Sequence, residues 1–110
     1  MPAGTYNLTI EQGADFAIKL TLSEDGNAKD LTNYEARGQM RQKKTSEAVS
    51  GTFDCNILEP TEGTLRITMS NEVTQNLVAG IYYYDIELYT LNDGNVSRLL
   101  EGQATVTQEV

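Results

Sequence analysis

The stretch GIYYYDIELYTL (residues 80–91) is the longest strand-like run in the chain. Aromatic and β-branched residues dominate it, and these side chains suit a pleated, half-buried surface. Because side chains alternate along a strand, one face of the run is large and mostly apolar, carrying Tyr82, Tyr84, Ile86 and Leu88. The opposite face carries Ile81, Tyr83, Asp85, Glu87 and Tyr89. This division predicts a core strand with one side buried.

A β-hairpin is predicted to begin with this strand. Residues 92–95 contain Asp93-Gly94, a pair that favours a tight hairpin turn. Residues 96–110 then return as the partner strand, with Leu100, Ala104 and Val106 expected on its inner face and a kink near Gly102. In this phase Leu99 is exposed unless a bulge intervenes.

Five further segments alternate apolar and polar residues, which indicates strands. They are residues 6–11, 16–22, 35–43, 51–58 and 64–69. In the third of these, Ala36 and Gly38 predict close packing against a bulky neighbour, such as a tyrosine of the stretch 80–91.

The segment 70–77 breaks this alternation and predicts one short helical turn near 70–78. Ser70 or Asn71 is the expected cap, Val73 and Leu77 share one helical face, and Gly80 is the expected C-terminal stop. Seven short strands with regularly spaced turn signals predict an all-β fold, an antiparallel β-sandwich rather than a closed barrel. At 110 residues the chain is expected to form a single domain over 1–110.

The charge and hydropathy of the chain limit the kinds of partner that we expect it to bind. Sixteen acidic and eight basic residues give a net charge of −8, which disfavours nucleic-acid binding. No apolar run approaches the roughly 20 residues that span a bilayer, and the N-terminus lacks the pattern of a signal peptide. We therefore expect no membrane partner and no secretion by that route. The single Cys55 cannot form an internal disulfide and is expected to be a buried hydrophobe, which fits folding in a reducing cytoplasm.

The groups that usually perform catalysis are missing. The chain has no histidine, which removes Ser-His and Cys-His pairs and imidazole metal ligands. Asp85 and Glu87 share a strand face, and a salt bridge to Arg98 or Arg66 is a better explanation for them than a catalytic carboxylate pair. We therefore expect no enzyme and no cofactor.

A calcium ion is the one ionic alternative. The loop 24–30 offers oxygen ligands from Glu24, Asp25, Asn27 and Asp30, which hard cations prefer. Its spacing does not match an EF-hand, so an ordinary acidic turn is the competing interpretation.

Two sets of residues are candidates for an interface. Arg37, Arg41 and Lys43, followed by Lys44, form either a solvated strand face or a docking patch for an acidic neighbour, including another copy of this chain. The second set is Ile81, Tyr83 and Tyr89. If loops of the domain leave their face uncovered, these residues form an aromatic patch typical of interfaces.

The order of segments also carries a family resemblance. The stretches concerned are YNLTIEQGADF (6–16), DLTNYEARGQMR (30–41), GTLRITMS (63–70), GIYYYDIEL (80–88) and VSRLLEGQATV (96–106). In these the chain resembles small virion proteins of tailed phages and prophages. It is also similar to the immunoglobulin-like N-terminal domain of phage baseplate upper proteins.

The resemblance implies an immunoglobulin-like sandwich that serves as a non-enzymatic structural protein of a phage virion. Such a protein would be made in the host cytoplasm and would bind other virion proteins, or copies of itself, through sheet faces or edges. A tail or baseplate position is expected, with head or neck decoration as the alternative. A different class of function is a glycan-binding or host-surface module, with Tyr83 and Tyr89 as its platform and Asp85 and Glu87 as acceptors.

Overall fold

The computed structural model describes residues 4–24, 26–43, 48–92 and 94–108. Its strands are β1 (Gly4–Thr5), β2 (Leu8–Glu11), β3 (Phe16–Thr21), β4 (Ser23–Glu24), β5 (Asn27–Ala28), β6 (Tyr34–Arg41), β7 (Gly51–Glu59), β8 (Thr64–Met69), β9 (Gly80–Thr90) and β10 (Val96–Thr107). A 3₁₀ turn covers Pro60–Glu62, and one short helix, α1, covers Asn71–Thr74. Strands make up 62% of the described residues, so the predicted all-β class is confirmed.

Eight of these strands form one curled, mixed sheet. Its order is β1-β10-β9-β6-β7-β8-β3, with β2 also paired to β10, while β4 and β5 form a separate small hairpin. β1 and β2 run parallel to β10, and the other ladders of the large sheet are antiparallel. The predicted sandwich is therefore one continuous sheet of mixed direction. Its immunoglobulin-like arrangement and the single-domain assignment stay predictions.

The strand β7 lets the sheet curl. Its residues 51–53 pair with β6, whereas its residues 54–59 pair with β8. One strand thus belongs to both halves of the sheet, and the inner faces of the two halves share one core. β2 and β3 follow each other in the chain, but β2 pairs with β10 and β3 pairs with β8, at opposite edges of the sheet. The described strands therefore do not close into a barrel.

The apolar face of β9 lies in the core, as predicted. Tyr82, Tyr84, Ile86 and Leu88 are each at most 4% exposed. They pack with apolar side chains of the other half, including Leu65, Ile67 and Met69 of β8. The Phe53 ring lies between those of Phe16 and Tyr84, with 6.0 Å between centroids in each pair. These contacts leave the other face of β9 directed outward.

The predicted hairpin of β9 and β10 is confirmed. Residues 91–95 connect the two strands, a longer connection than a two-residue turn, and Asp93 lies outside the described residues. A bulge between Arg98 and Leu100 shifts the register, so that Leu99 is half-buried against the core. Ala104 and Val106 are buried at the inner face.

The predicted first strand, residues 6–11, is interrupted where it passes Gly102. The Tyr6 backbone comes so close to Gly102 that a Cβ there would overlap the Tyr6 carbonyl. The Tyr84 hydroxyl donates a hydrogen bond to the same carbonyl. β1 and β2 are therefore two short strands on either side of this close approach.

Gly38 is small for a different reason than the one expected. Its register partner on β9 is Ile86, and a Cβ at Gly38 would meet the Ile86 side chain and the Phe53 ring. The bulky neighbour is thus an isoleucine and not one of the tyrosines.

The helix α1 is one turn long, and two details of its prediction are wrong. The chain leaves the helix at Gln75, and Gly80, with φ 151°, begins β9 instead of ending a helix. Val73 is exposed while Thr74 is fully buried, because the Thr74 hydroxyl donates to the Ala14 carbonyl at 2.8 Å. Within the described ranges, no helix has the length and apolar character to cross a bilayer.

Candidate interaction surface

The outward face of β6, β9 and β10 carries most of the residues that the sequence indicated for function. Because β9 lies between β6 and β10, each of its outward side chains from Tyr83 to Tyr89 has a partner on both neighbouring strands. Tyr83 lies between Arg41 and Gln103, Asp85 between Gln39 and Glu101, Glu87 between Arg37 and Arg98, and Tyr89 between Glu35 and Val96. The face is therefore a network of charged and amide side chains that also contains two tyrosines.

Arg37 and Tyr89 are in contact at one end of this network. The Arg37 guanidinium carbon lies 5.0 Å from the centroid of the Tyr89 ring, and its Nε is 2.9 Å from a Glu87 carboxylate oxygen. The Tyr89 hydroxyl donates to Glu35 at 2.8 Å, and this hydrogen bond raises the pKa of the tyrosine. The polar atoms of these residues thus satisfy one another.

Asp85, on the centre strand, is partly removed from water. Its burial, reinforced by the neighbouring Glu87 charge, raises the pKa of the carboxyl group. The Arg98 Nε is 3.7 Å from an Asp85 oxygen, and another Arg98 nitrogen is 3.6 Å from Glu101. Of the two predicted cationic partners for Asp85, the structure brings Arg98 to it.

A groove of about 470 Å³ opens beside Asp85. β6 contributes Gln39 and Arg41, β9 contributes residues 83–85, β10 contributes Arg98 and residues 101–103, and the N-terminal segment contributes Thr5 and Asn7. Arg41 donates a hydrogen bond to the Gln39 side-chain oxygen at 2.9 Å. Its Nε is buried and has no hydrogen-bond partner among the described residues. A buried donor of this kind is unusual, since most are satisfied.

The six predicted interface residues do not form one patch. Arg37 contacts Tyr89, and Arg41 is the register partner of Tyr83. Ile81 is 56% exposed but stands eight residues from Tyr89 along β9, which is about 26 Å. Lys43 is exposed beyond the end of β6, and Lys44 lies outside the described residues. Their role as interface residues stays a prediction.

Of the residues that β10 and the N-terminal segment add to this face, sequence reasoning named only Arg98, as a salt-bridge partner of Asp85. Arg98, Glu101 and Gln103 line the groove together with Thr5 and Asn7. The alternation of β10 could have indicated them only if the bulge between Arg98 and Leu100 had been known. Exposed Leu91 and Val96, at the hairpin end, were also missed, although both flank the predicted turn.

The other candidate sites offer little reactive chemistry. Cys55 is half-buried in β7, and burial raises the pKa of its thiol to about 11. In the loop 24–30, Asp25 and the Glu24 side chain lie outside the described residues. Asp30 accepts hydrogen bonds from the backbone and hydroxyl of Thr32. Within the described ranges, no cluster of three or more carboxylate or thiol side chains could hold a metal ion.

Comparison with solved structures places this fold beside a phage domain. The structure is similar to the N-terminal domain of phage TP901-1 ORF48, with a TM-score of 0.56 and 13% sequence identity. The match covers 96% of this chain and 98% of that chain. At this identity the likeness shows a shared fold.

A second similar structure is a family 123 glycoside hydrolase from Clostridium perfringens, with a TM-score of 0.46 and 14% identity. The match covers 97% of this chain but 23% of that one. No family model matches the chain, and no curated protein matches it in sequence.

Proposed function

We propose that this chain is a non-enzymatic structural protein of a tailed-phage virion that binds other virion proteins. The observation that carries the proposal is the coverage of the match to the ORF48 N-terminal domain, 96% of one chain and 98% of the other. The match thus extends over nearly all of both chains, and the matched chain is itself the N-terminal domain of ORF48. The sequence resemblance to small phage virion proteins points in the same direction.

The chemistry of the side chains supports a role without catalysis. The raised pKa of Cys55 keeps the thiol protonated at neutral pH, and a thiol is a poor nucleophile in that form. Glu87 is engaged by Arg37 at 2.9 Å, and Asp85 faces Arg98. These carboxylates are better explained as parts of a surface network of charged side chains than as an acid–base pair.

The hairpin end of the outward face is the surface we propose for contact with virion proteins. Tyr89 and Val96 are register partners there, and Leu91, two residues beyond Tyr89, is 59% exposed. Arg37 adds a cation over the tyrosine ring. Aromatic, aliphatic and arginine side chains together are the composition that protein interfaces favour. Copies of this chain are a second possible occupant of the same surface.

Within the virion we propose a tail or baseplate position, and head or neck decoration is the alternative. The test separates heads from tails in a lysate of the phage or prophage that encodes this chain, and probes each fraction with an antibody. Signal in the tail fraction is expected. Signal confined to heads would contradict the tail position and favour decoration.

A further inference from the structure

The groove beside Asp85 has a balance of charge that the virion role does not explain. Two cations, Arg41 and Arg98, and two anions, Asp85 and Glu101, line it together. Their formal charges sum to zero on a chain whose net charge is −8. An occupant would therefore gain little from carrying a net charge of either sign.

These four charged groups are poorly satisfied by one another. Arg98 is 3.7 Å from Asp85 and 3.6 Å from Glu101, both longer than a good hydrogen bond. The Arg41 Nε is buried without a partner among the described residues. By contrast, Arg37 and Glu87 lie outside this groove and form a short ion pair, with 2.9 Å between the Arg37 Nε and a Glu87 carboxylate oxygen. Arg98, Asp85 and Glu101 thus retain hydrogen-bonding capacity in the groove, whereas Arg37 and Glu87 have used theirs on each other.

We propose that this groove binds a neutral carbohydrate, with the Tyr83 ring as its stacking surface. Asp85 and Glu101 accept hydrogen bonds from ligand hydroxyls, while Arg41 and Arg98 donate to ligand oxygens. A hydroxyl group both donates and accepts, so a polyhydroxylated ring can satisfy both kinds of partner without bringing a charge. The volume of about 470 Å³ lies within the usual range for small-ligand sites.

A peptide segment is a weaker candidate for this groove. Peptide-binding grooves gain most of their affinity from pockets that bury apolar or aromatic anchors. Here the walls are mainly charged and amide side chains, such as Gln39 and Gln103, and the Tyr84 ring lies in the core. The geometry also changes the glycan platform expected from sequence, because Tyr89 and Glu87 are engaged by Arg37 and lie outside the groove.

The experiment is an NMR titration of the full chain, isotopically labelled, with maltose, cellobiose, lactose and chitobiose in turn. Glucuronic acid and glucosamine serve as charged counterparts. We expect at least one neutral disaccharide to shift the amides of residues 39–41, 83–85 and 101–103 in a saturable way. Tyr83→Ala should weaken that binding at least about tenfold, an effect of about 1.4 kcal/mol.

Tyr89→Ala is the matched control, since it removes an outward tyrosine from the same strand but outside the groove. It should leave the affinity unchanged. If Tyr83→Ala does not fold, the near-isosteric Asp85→Asn provides the same comparison. The proposal is overturned if no neutral sugar shifts these amides, if a charged sugar binds more tightly, or if both tyrosine variants lose binding equally. It also fails if an uncharged capped peptide shifts the groove amides and the sugars do not. Any of these results leaves the virion role untouched, because that role is tested by particle composition.

Discussion

Cys55 lies in β7 where burial, reinforced by the neighbouring Asp54 charge, raises the pKa of its thiol from 9.0 to about 11. At neutral pH this shift lowers the thiolate fraction about a hundredfold relative to an unperturbed thiol. Iodoacetamide should therefore alkylate Cys55 much more slowly in the folded chain than in the same chain in urea. Mass spectrometry of timed samples measures both rates. Equal rates in the two states would mean that the thiol is neither buried nor shifted.

Asp85 gives a pH-dependent prediction. Burial, followed by the Glu87 charge, raises its pKa above 3.8, so the folded chain holds this proton more tightly than the unfolded chain. Its contribution to stability is therefore largest when the group is protonated, and it is lost as pH rises from 3.8 through the folded pKa. Asp85→Asn should be more stable than the wild type at pH 7, and the difference should shrink as pH falls through the folded pKa of Asp85 toward 3.8.

Urea denaturation of both proteins across this pH range measures the difference in the free energy of unfolding. A variant that is less stable than the wild type at pH 7 would contradict the prediction. It would mean that Arg98 and Arg41 stabilise the charged form more than burial and Glu87 destabilise it.

At the scale of elements, α1 is capped from a distant part of the chain. The Asn71 backbone N–H donates to the Asp15 carboxylate at 2.7 Å, whereas the N-cap residue Ser70 makes no side-chain capping bond. Asp15→Ala should therefore lower the free energy of unfolding by about 1 kcal/mol, the usual effect of removing a cap. Ser70→Ala is the matched control and should change it little. Urea denaturation compares them, and a larger loss for Ser70→Ala would contradict the assignment.

The same helix shows where sequence reasoning reaches its limit. The buried face of β9 was predictable, because alternation along one strand is a local property. Thr74 is buried because its hydroxyl donates a hydrogen bond to the carbonyl of Ala14, sixty residues away. The spacing of Val73 and Leu77 does not indicate this long-range contact. The prediction therefore identified a helical turn but placed Val73 and Leu77 on one face, whereas Leu77 is buried and Val73 is exposed.

The candidate surface was predictable to a similar extent. Period two along β9 identified Tyr83 and Asp85 as outward residues, and both line the groove. The opposite wall depends on the register of β10, which the bulge between Arg98 and Leu100 shifts. No local pattern states which residues of two distant strands lie opposite each other. Glu101 therefore required the folded structure, and so did the choice of Arg98 over Arg66 as the partner of Asp85.

At the scale of the whole molecule, one curled sheet presents its outward face away from a shared core. Pairing of β7 with both β6 and β8 makes the curl, and the core takes the inner face of each half. The remaining face of β9 and its neighbours is then available to partners. This is the arrangement on which the proposed virion contacts and the groove both depend.

The most direct test of the central claim is quantitative mass spectrometry of purified phage particles. If this chain is a virion structural protein, its peptides are expected in purified particles at a fixed ratio to the major virion proteins, in every preparation. A ratio that falls on each further round of purification would indicate a contaminant. Peptides present in the lysate but absent from the particles would contradict the account.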